Sequence, residues 1–357
     1  MTSRQLTARS RLSRREVALL LLGAGLGLGK QRKSVFPGKH WESREPKALG
    51  LDGAQLDVLA QMLGGRGCVV KDGYMVKTWG DQSEQGDLLS SAKPVLSTLL
   101  FFAIKERRVK SVHTRIRDYG WNLIPKDQTM EFWHLANMVS GYARPEPPGA
   151  AWSYNDYAIM LYQKTLFDKV FRKDPTAVAM HTNRFGALEL EDGLVFRASD
   201  RRISSSVRDF ARLAWFWLCQ GNWHGEQVLQ RSFFEKYQRP QVAPNLPHTV
   251  KAETNDYLGI GTYGGGSDHF TDYGPGIYGF NWWFNATGAL HPKSRTWPDA
   301  PIDTFMSIGA GGNCSVIIPS RNIVLASLRG NWGTVEAGNP AWPANQHIRR
   351  LVAADKS

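Results

Sequence analysis

Asp87-Leu88-Leu89-Ser90-Ser91-Ala92-Lys93-Pro94 decides how this chain is read. It sets Ser90 at the opening of an apolar helix, with Lys93 three residues on and so on the same face. A serine hydroxyl is a poor nucleophile until a neighbour removes its proton, and a desolvated amine can do that. A helix opening adds backbone N–H groups and a positive dipole for a developing oxyanion. Pro94 is tolerated there, because first-turn amides have few partners anyway. Taken alone, Ser-x-x-Lys is a pattern that chance supplies, and a serine cap with a solvated lysine would explain it as well. The surrounding sequence settles the reading.

Working outward, Pro94–Arg107 predicts a helix that is apolar through Val95, Leu96, Leu99, Leu100, Phe101 and Ile104. Upstream, Leu51–Leu63 has helical spacing, and Cys68–Val76 reads as a hairpin turning on Asp72-Gly73. A region from about 110 to 240 reads as mostly helical, including Tyr157–Phe171 and Val207–Leu218, with turn clusters such as Arg144–Gly149 between helices. Strand character returns at Tyr278–Phe284, Cys314–Ile318 and Ile323–Leu328, and Ala344–Ala353 predicts a terminal helix. Strands at both ends with helices between imply an α+β domain over residues 49–357, its antiparallel sheet flanked by helices and closed from both termini. Regular strand–helix alternation and a Gly-x-Gly-x-x-Gly turn are both missing, which argues against an all-parallel Rossmann-type sheet.

Four ordered stretches carry a resemblance: Ser90–Pro94, Leu135–Tyr142 followed by Pro148–Asp156, Ser205–Leu213, and Ser307–Asn313 with Pro319 beyond it. Over roughly residues 45–335 the chain resembles the serine β-lactamase and penicillin-binding-protein superfamily, in its class C and esterase-like branch. The resemblance implies a β-lactamase/transpeptidase-like fold and acyl transfer without metal or organic cofactor. It implies that Ser90 is acylated, that Lys93 takes or relays its proton, and that Tyr154 exchanges protons with nucleophile and leaving group. The oxyanion hole would be the N–H groups of Ser90 and Ala310, and Asn155, Asp156, Ser307 and Gly309 would face the substrate.

Two departures matter. Asp156 stands at an asparagine position, and a carboxylate near Lys93 favours the charged form of the amine, making it a poorer base; Asn155 could instead take the amide's role. Ser307 stands where the family has Lys or His to hold a substrate carboxylate, with Arg329 as a candidate substitute. An ester or related amide substrate is therefore favoured over β-lactams and D-Ala-D-Ala peptides. A non-catalytic cell-envelope binding protein of the same fold is the rival from another class.

The formal charge of +12 invites a polyanion partner, but it is not evenly spread. Residues 1–48 hold eleven Lys/Arg against three Asp/Glu, and the remainder hold 33 against 29 with no dense basic run, which argues against nucleic acid. The basic excess heads an apolar run, Val17–Gly29, laid out like an export signal and resembling the twin-arginine type. Residues 1–29 are accordingly read as a signal or retained membrane anchor of a periplasmic or extracellular protein, and 30–48 as a polar linker. Cys68 and Cys314 both lie in strand-like runs where a bridge could form, but a domain this size needs no staple, so free thiols are expected at both and at Cys219. His134, His181, His224, His248, His269 and His291 lack zinc-ligand spacing, Trp282, Trp283 and Trp332 read as core or cleft wall, and Tyr263–Asp268 reads as a mobile Gly-rich loop.

Overall fold

The Asp72-Gly73 turn adopts the left-handed conformation at both residues, φ 54° and 92°, as a two-residue hairpin requires. It joins β1 (Arg66–Lys71) to β2 (Tyr74–Trp79). This computed structural model describes residues 34–250, 255–264, 274–289, 291–333 and 344–356. The export-signal reading of residues 1–29, the first four residues of the linker (30–33) and the stretch 265–268 lie outside the described residues.

Five further strands complete the main sheet: β3 (Tyr278–Gly279), β4 (Trp282–Phe284), β5 (Phe305–Gly309), β6 (Asn313–Ile318) and β7 (Ile323–Leu328). Their spatial order is β2-β1-β7-β6-β5-β4-β3, antiparallel throughout. The first and last long strands meet in register, Cys68 opposite Ala326, so the two ends of the chain close one sheet. Every residue of β1, β6 and β7 is buried, which requires cover on both faces. Helix α1 (Gly53–Leu63), capped by the Asp52 carboxylate on Gln55 N, packs on β2 and on the terminal helix Asn345–Ala354. The helix Val207–Leu218, capped by Ser206, lies on β1, β6 and β7. It therefore belongs to the sheet's layers, although the sequence reading assigned it to the inserted region.

The inserted region holds helices as expected, and also two short strands that pair with Gly86–Asp87 upstream in a three-stranded antiparallel sheet, ordered Gly86–Asp87, Ile203–Ser205, Leu194–Phe196, that local pattern did not suggest. Its strands are two or three residues long, too short for a visible alternation. The helix read as Tyr157–Phe171 runs as α-helix over Asp156–Lys164 and widens into a π-helical turn over Thr165–Phe171.

Residues 34–48 are not a free linker. Val35 N donates to Asp72 O and Trp215 Nε1 donates to Val35 O; Arg212 donates to the Gly38 and Lys39 carbonyls; Trp41 Nε1 donates to Arg208 O; Ser43 pairs with Met75 at the sheet edge. Phe36 and Trp41 anchor the segment on the core. Its polar composition hid two aromatic anchors and a run of backbone groups that seek partners. Cys68, Cys219 and Cys314 are free thiols, and burial pushes each up to about 12.

Candidate active site

Ser90 does not begin the α-helix itself. It sits in a 3₁₀ turn, Leu89–Ala92, that feeds helix α2 (Lys93–Lys105). With three residues per turn, 3₁₀ geometry brings positions i and i+3 onto one side, and Lys93 Nζ donates to Ser90 Oγ at 2.7 Å. The turn is held from several directions. Asp87 Oδ1 accepts from Leu89 N at 2.8 Å, Asp87 Oδ2 pairs with Arg202 at 2.7 Å and Arg197 at 3.4 Å, and Asn313 Nδ2 donates to Asp87 O at 2.9 Å. Leu89, immediately before the serine, has φ +52°, a left-handed conformation that a non-glycine residue holds only under such restraint.

Lys93 is buried and its Nζ stands 2.8 Å from Asp156 Oδ1, a charge contact and not an aligned hydrogen bond. The rings of Tyr154 and Tyr263 flank the same nitrogen, with centroids at 4.6 and 5.0 Å. The Tyr154 phenol hydrogen-bonds Ser90; burial, reinforced by the Asp156 charge, raises it far above the usual tyrosine range, so it carries its proton at neutral pH. Trp283 stacks on the Tyr154 ring at 5.8 Å and Tyr278 meets it edge-on at 6.2 Å, which fixes its direction. Trp282, Trp283 and Trp332 are buried, and the indole of Trp332 donates to Gly312 O. Of the three, Trp283 is the one that packs on Tyr154, while Trp282 packs on Trp217.

Gly309, at the end of β5, lies against this turn. A Cβ there would fall 2.7 Å from Ser91 N, 2.8 Å from Leu88 O and 3.1 Å from Ser90 N. Only glycine allows that approach, and it carries the adjoining, exposed Ala310 to the side of the nucleophile's amide.

Three sequence expectations are corrected by these placements. Asn155 does not face a substrate: its Oδ1 caps the helix Asp156–Lys164 by accepting from Tyr157 N and Ala158 N, and its Nδ2 donates to Tyr142 O at 2.6 Å. Ser307 is fully buried and its hydroxyl is bonded to Ser315 on the neighbouring strand at 2.7 Å. The side chain is too short to leave the sheet. Arg329 does not take the place of a basic side chain at the buried Ser307 position: it lies largely in solvent and pairs with Glu84 at 3.5 Å. Asp156 is buried with its Oδ1 2.8 Å from Lys93 Nζ.

The Gly-rich stretch is anchored at its start, at Tyr263. Tyr263 is buried, its hydroxyl donates to Leu89 O at 2.9 Å, and its N–H donates to Asp156 O at 3.2 Å. Sequence reasoning missed it because nothing distinguishes a tyrosine that opens a glycine run. Asp87, Arg197 and Arg202 were equally unmarked. Among the described residues no group of three or more His, Cys, Asp or Glu side chains is arranged to hold a metal.

No protein-family profile and no curated protein sequence matches the chain. Solved structures do. A β-lactamase from Mycobacterium bovis superposes with a TM-score of 0.56 at 17% identity, over 85% of this chain and all of that one. A penicillin-binding protein homologue from Caulobacter crescentus gives 0.56 at 12% identity, over 88% and 98% of the two chains. EstCE1, a hydrolase with promiscuous acyltransferase activity, gives 0.56 at 11% identity, over 87% and 97%. The chain thus has the β-lactamase/transpeptidase fold, an α+β architecture shared by β-lactamases, penicillin-binding proteins and esterases.

Proposed function

We propose that this protein is a serine hydrolase that forms an acyl-enzyme on Ser90 and acts on carboxylic esters or related amides. The observation that carries the reading is the convergence of Lys93 Nζ, at 2.7 Å, and the Tyr154 phenol on one serine hydroxyl, in a turn packed against Gly309. Lys93 in its amine form takes the Ser90 proton as Oγ bonds to the substrate carbonyl carbon. The oxyanion is received by the N–H groups of Ser90 and Ala310. The carbonyl–leaving-group bond then breaks, the leaving oxygen or nitrogen takes the Tyr154 proton, and the phenolate recovers a proton from Lys93. Water attacks the ester, passes its proton to the same pair, and Ser90 leaves reprotonated.

Ser307 in place of a basic residue, with Arg329 turned to Glu84, favours substrates without a carboxylate next to the scissile bond. That places a β-lactamase or D-Ala-D-Ala carboxypeptidase activity second. The buried Lys93–Asp156 pair favours one rival, a cell-envelope binding protein that keeps the fold without turnover. Residues 1–29, read as an export signal or anchor, would put either activity outside the cytoplasm.

A fluorophosphonate probe, a labelled penicillin and peptide mapping test the reading. Fluorophosphonate should label Ser90, Ser90→Ala should abolish the label, and penicillin should leave the serine free. Folded protein that neither probe labels would make it a binding protein, and penicillin labelling at Ser90 would restore the β-lactam class.

A further inference from the structure

The segment 255–264 belongs to none of the motifs that define the site, yet it is fastened to Asp127, to Tyr142–Ala143 and, through Tyr263, to the site itself. Asn255 N donates to Ala143 O; the Tyr142 hydroxyl bonds Asp256; the Tyr257 hydroxyl donates to Asp127 Oδ2 at 2.7 Å. Asp256 in turn accepts from Ile260 N and Gly261 N, which folds the segment back so that Tyr263 enters the site. There Tyr263 spans the two halves of the machinery. Its hydroxyl holds the carbonyl of Leu89, whose left-handed backbone orients the Ser90 N–H, and its own N–H holds the carbonyl of Asp156. Its ring lies 5.0 Å from Lys93 Nζ, beside the Tyr154 ring at 4.6 Å. The next residue, Gly264, stands so close to Asp156 that a Cβ would lie 2.2 Å from Oδ2. The segment therefore fits against Asp156 without a side chain between them.

We propose that Tyr263 is a positioning residue of this site: its hydroxyl fixes the turn that presents the Ser90 amide, and its ring keeps solvent and solutes from Lys93. The proposal rests on the serine-hydrolase reading for its kinetic consequence but not for its shielding consequence, so the two can fail separately. A bond that aims an oxyanion donor acts on the transition state more than on the bound ground state. Losing the hydroxyl should therefore lower the rate of bond formation and leave binding nearly unchanged. Losing the ring should, in addition, open Lys93 to reagents.

The experiment uses the full chain with wild type, Tyr263→Phe and Tyr263→Leu, each checked for a native melting transition. Fluorophosphonate inactivation is resolved into kinact and KI, and brief acetic anhydride treatment followed by peptide mapping reads the acetylation of Lys93. Tyr263→Phe should lower kinact roughly tenfold with KI unchanged and Lys93 as protected as in wild type. Tyr263→Leu should lower kinact at least as far and make Lys93 several-fold more reactive. Native-like variants with wild-type kinact and wild-type Lys93 protection would overturn the proposal. If wild type is never labelled at Ser90, the hydrolase reading falls, and the acetylation of Lys93 in Tyr263→Leu alone decides whether Tyr263 shields the amine: unchanged acetylation would then overturn it. Should Tyr263→Leu fail to fold, Tyr263→Phe decides through kinact.

Discussion

At the scale of single residues, the site depends on what Asp156 does to Lys93. The carboxylate lies 2.8 Å from Nζ inside a buried pocket, and removing one partner of a buried pair leaves the other uncompensated. Asp156→Asn should therefore lower stability in denaturant unfolding and slow fluorophosphonate labelling of Ser90. Wild-type stability together with wild-type labelling would show that the contact neither holds nor orients the amine. The burial of Tyr154 predicts in addition that its phenol stays protonated across the neutral range. The serine, lysine and tyrosine were legible as ordered motifs, and Asp156 was legible as a departure from one. Tyr263 was not, because its place depends on Tyr142, Asp256 and Tyr257, and no local spacing encodes those contacts. The roles expected of Asn155 and Ser307 were misread for a common reason. Sequence order says which residues are near the site, whereas capping and cross-strand pairing decide which polar atoms are still free to meet a ligand.

At the scale of elements, the helix Asp156–Lys164 carries Asp156 on its first turn, so the cap at Asn155 holds the charge as well as the helix. Asn155 satisfies two amides at 3.0 and 3.2 Å and the Tyr142 carbonyl at once. Asn155→Ala should cost about 1–2 kcal/mol in urea unfolding, the range for loss of a good N-cap. It should also slow acylation of Ser90, because the helix start that holds Asp156 loosens. Asn155→Ser keeps a capping oxygen and should recover most of the stability; equal losses in both variants would mean that the bond to Tyr142, and not the cap, is what matters. The long strands β1, β6 and β7 were legible as β-branched runs because they are buried on both faces. The short strands and the strap at residues 34–48 were not, since two or three residues show no period and polar residues conceal an anchored backbone.

At the scale of the molecule, closure of the sheet from both chain ends was readable from where the strand-like runs fall, but the bond that fastens the closure was not. Lys71 at the end of β1 and Asp355 beyond the terminal helix are 284 residues apart, and both side chains are fully buried. Lys71 Nζ stands 3.2 Å from each carboxylate oxygen and donates to Arg321 O at 2.8 Å, while Arg321 reaches Asp355 at 3.4 Å. Each charge was costly to remove from water, and the direct contact between Lys71 and Asp355 is the main compensation on both sides, so removing one partner leaves the other charge poorly compensated in the core. Lys71→Met should therefore destabilise the fold by about 3–5 kcal/mol in denaturant unfolding, and Asp355→Leu by a comparable amount. Lys71→Met/Asp355→Leu removes both charges and should be markedly less destabilised than the sum of the single changes, giving a coupling of about 1–3 kcal/mol in the double-mutant cycle. Additive losses would show that the pair contributes through packing alone. The pair lies at the end of β1 where Lys71 faces Ile323, whereas Leu328, Gly309 and the serine turn lie at the other end of the paired strands. If the closure acts only on the fold, the Lys71→Met/Asp355→Leu protein, once folded, should react with fluorophosphonate at Ser90 at the wild-type rate.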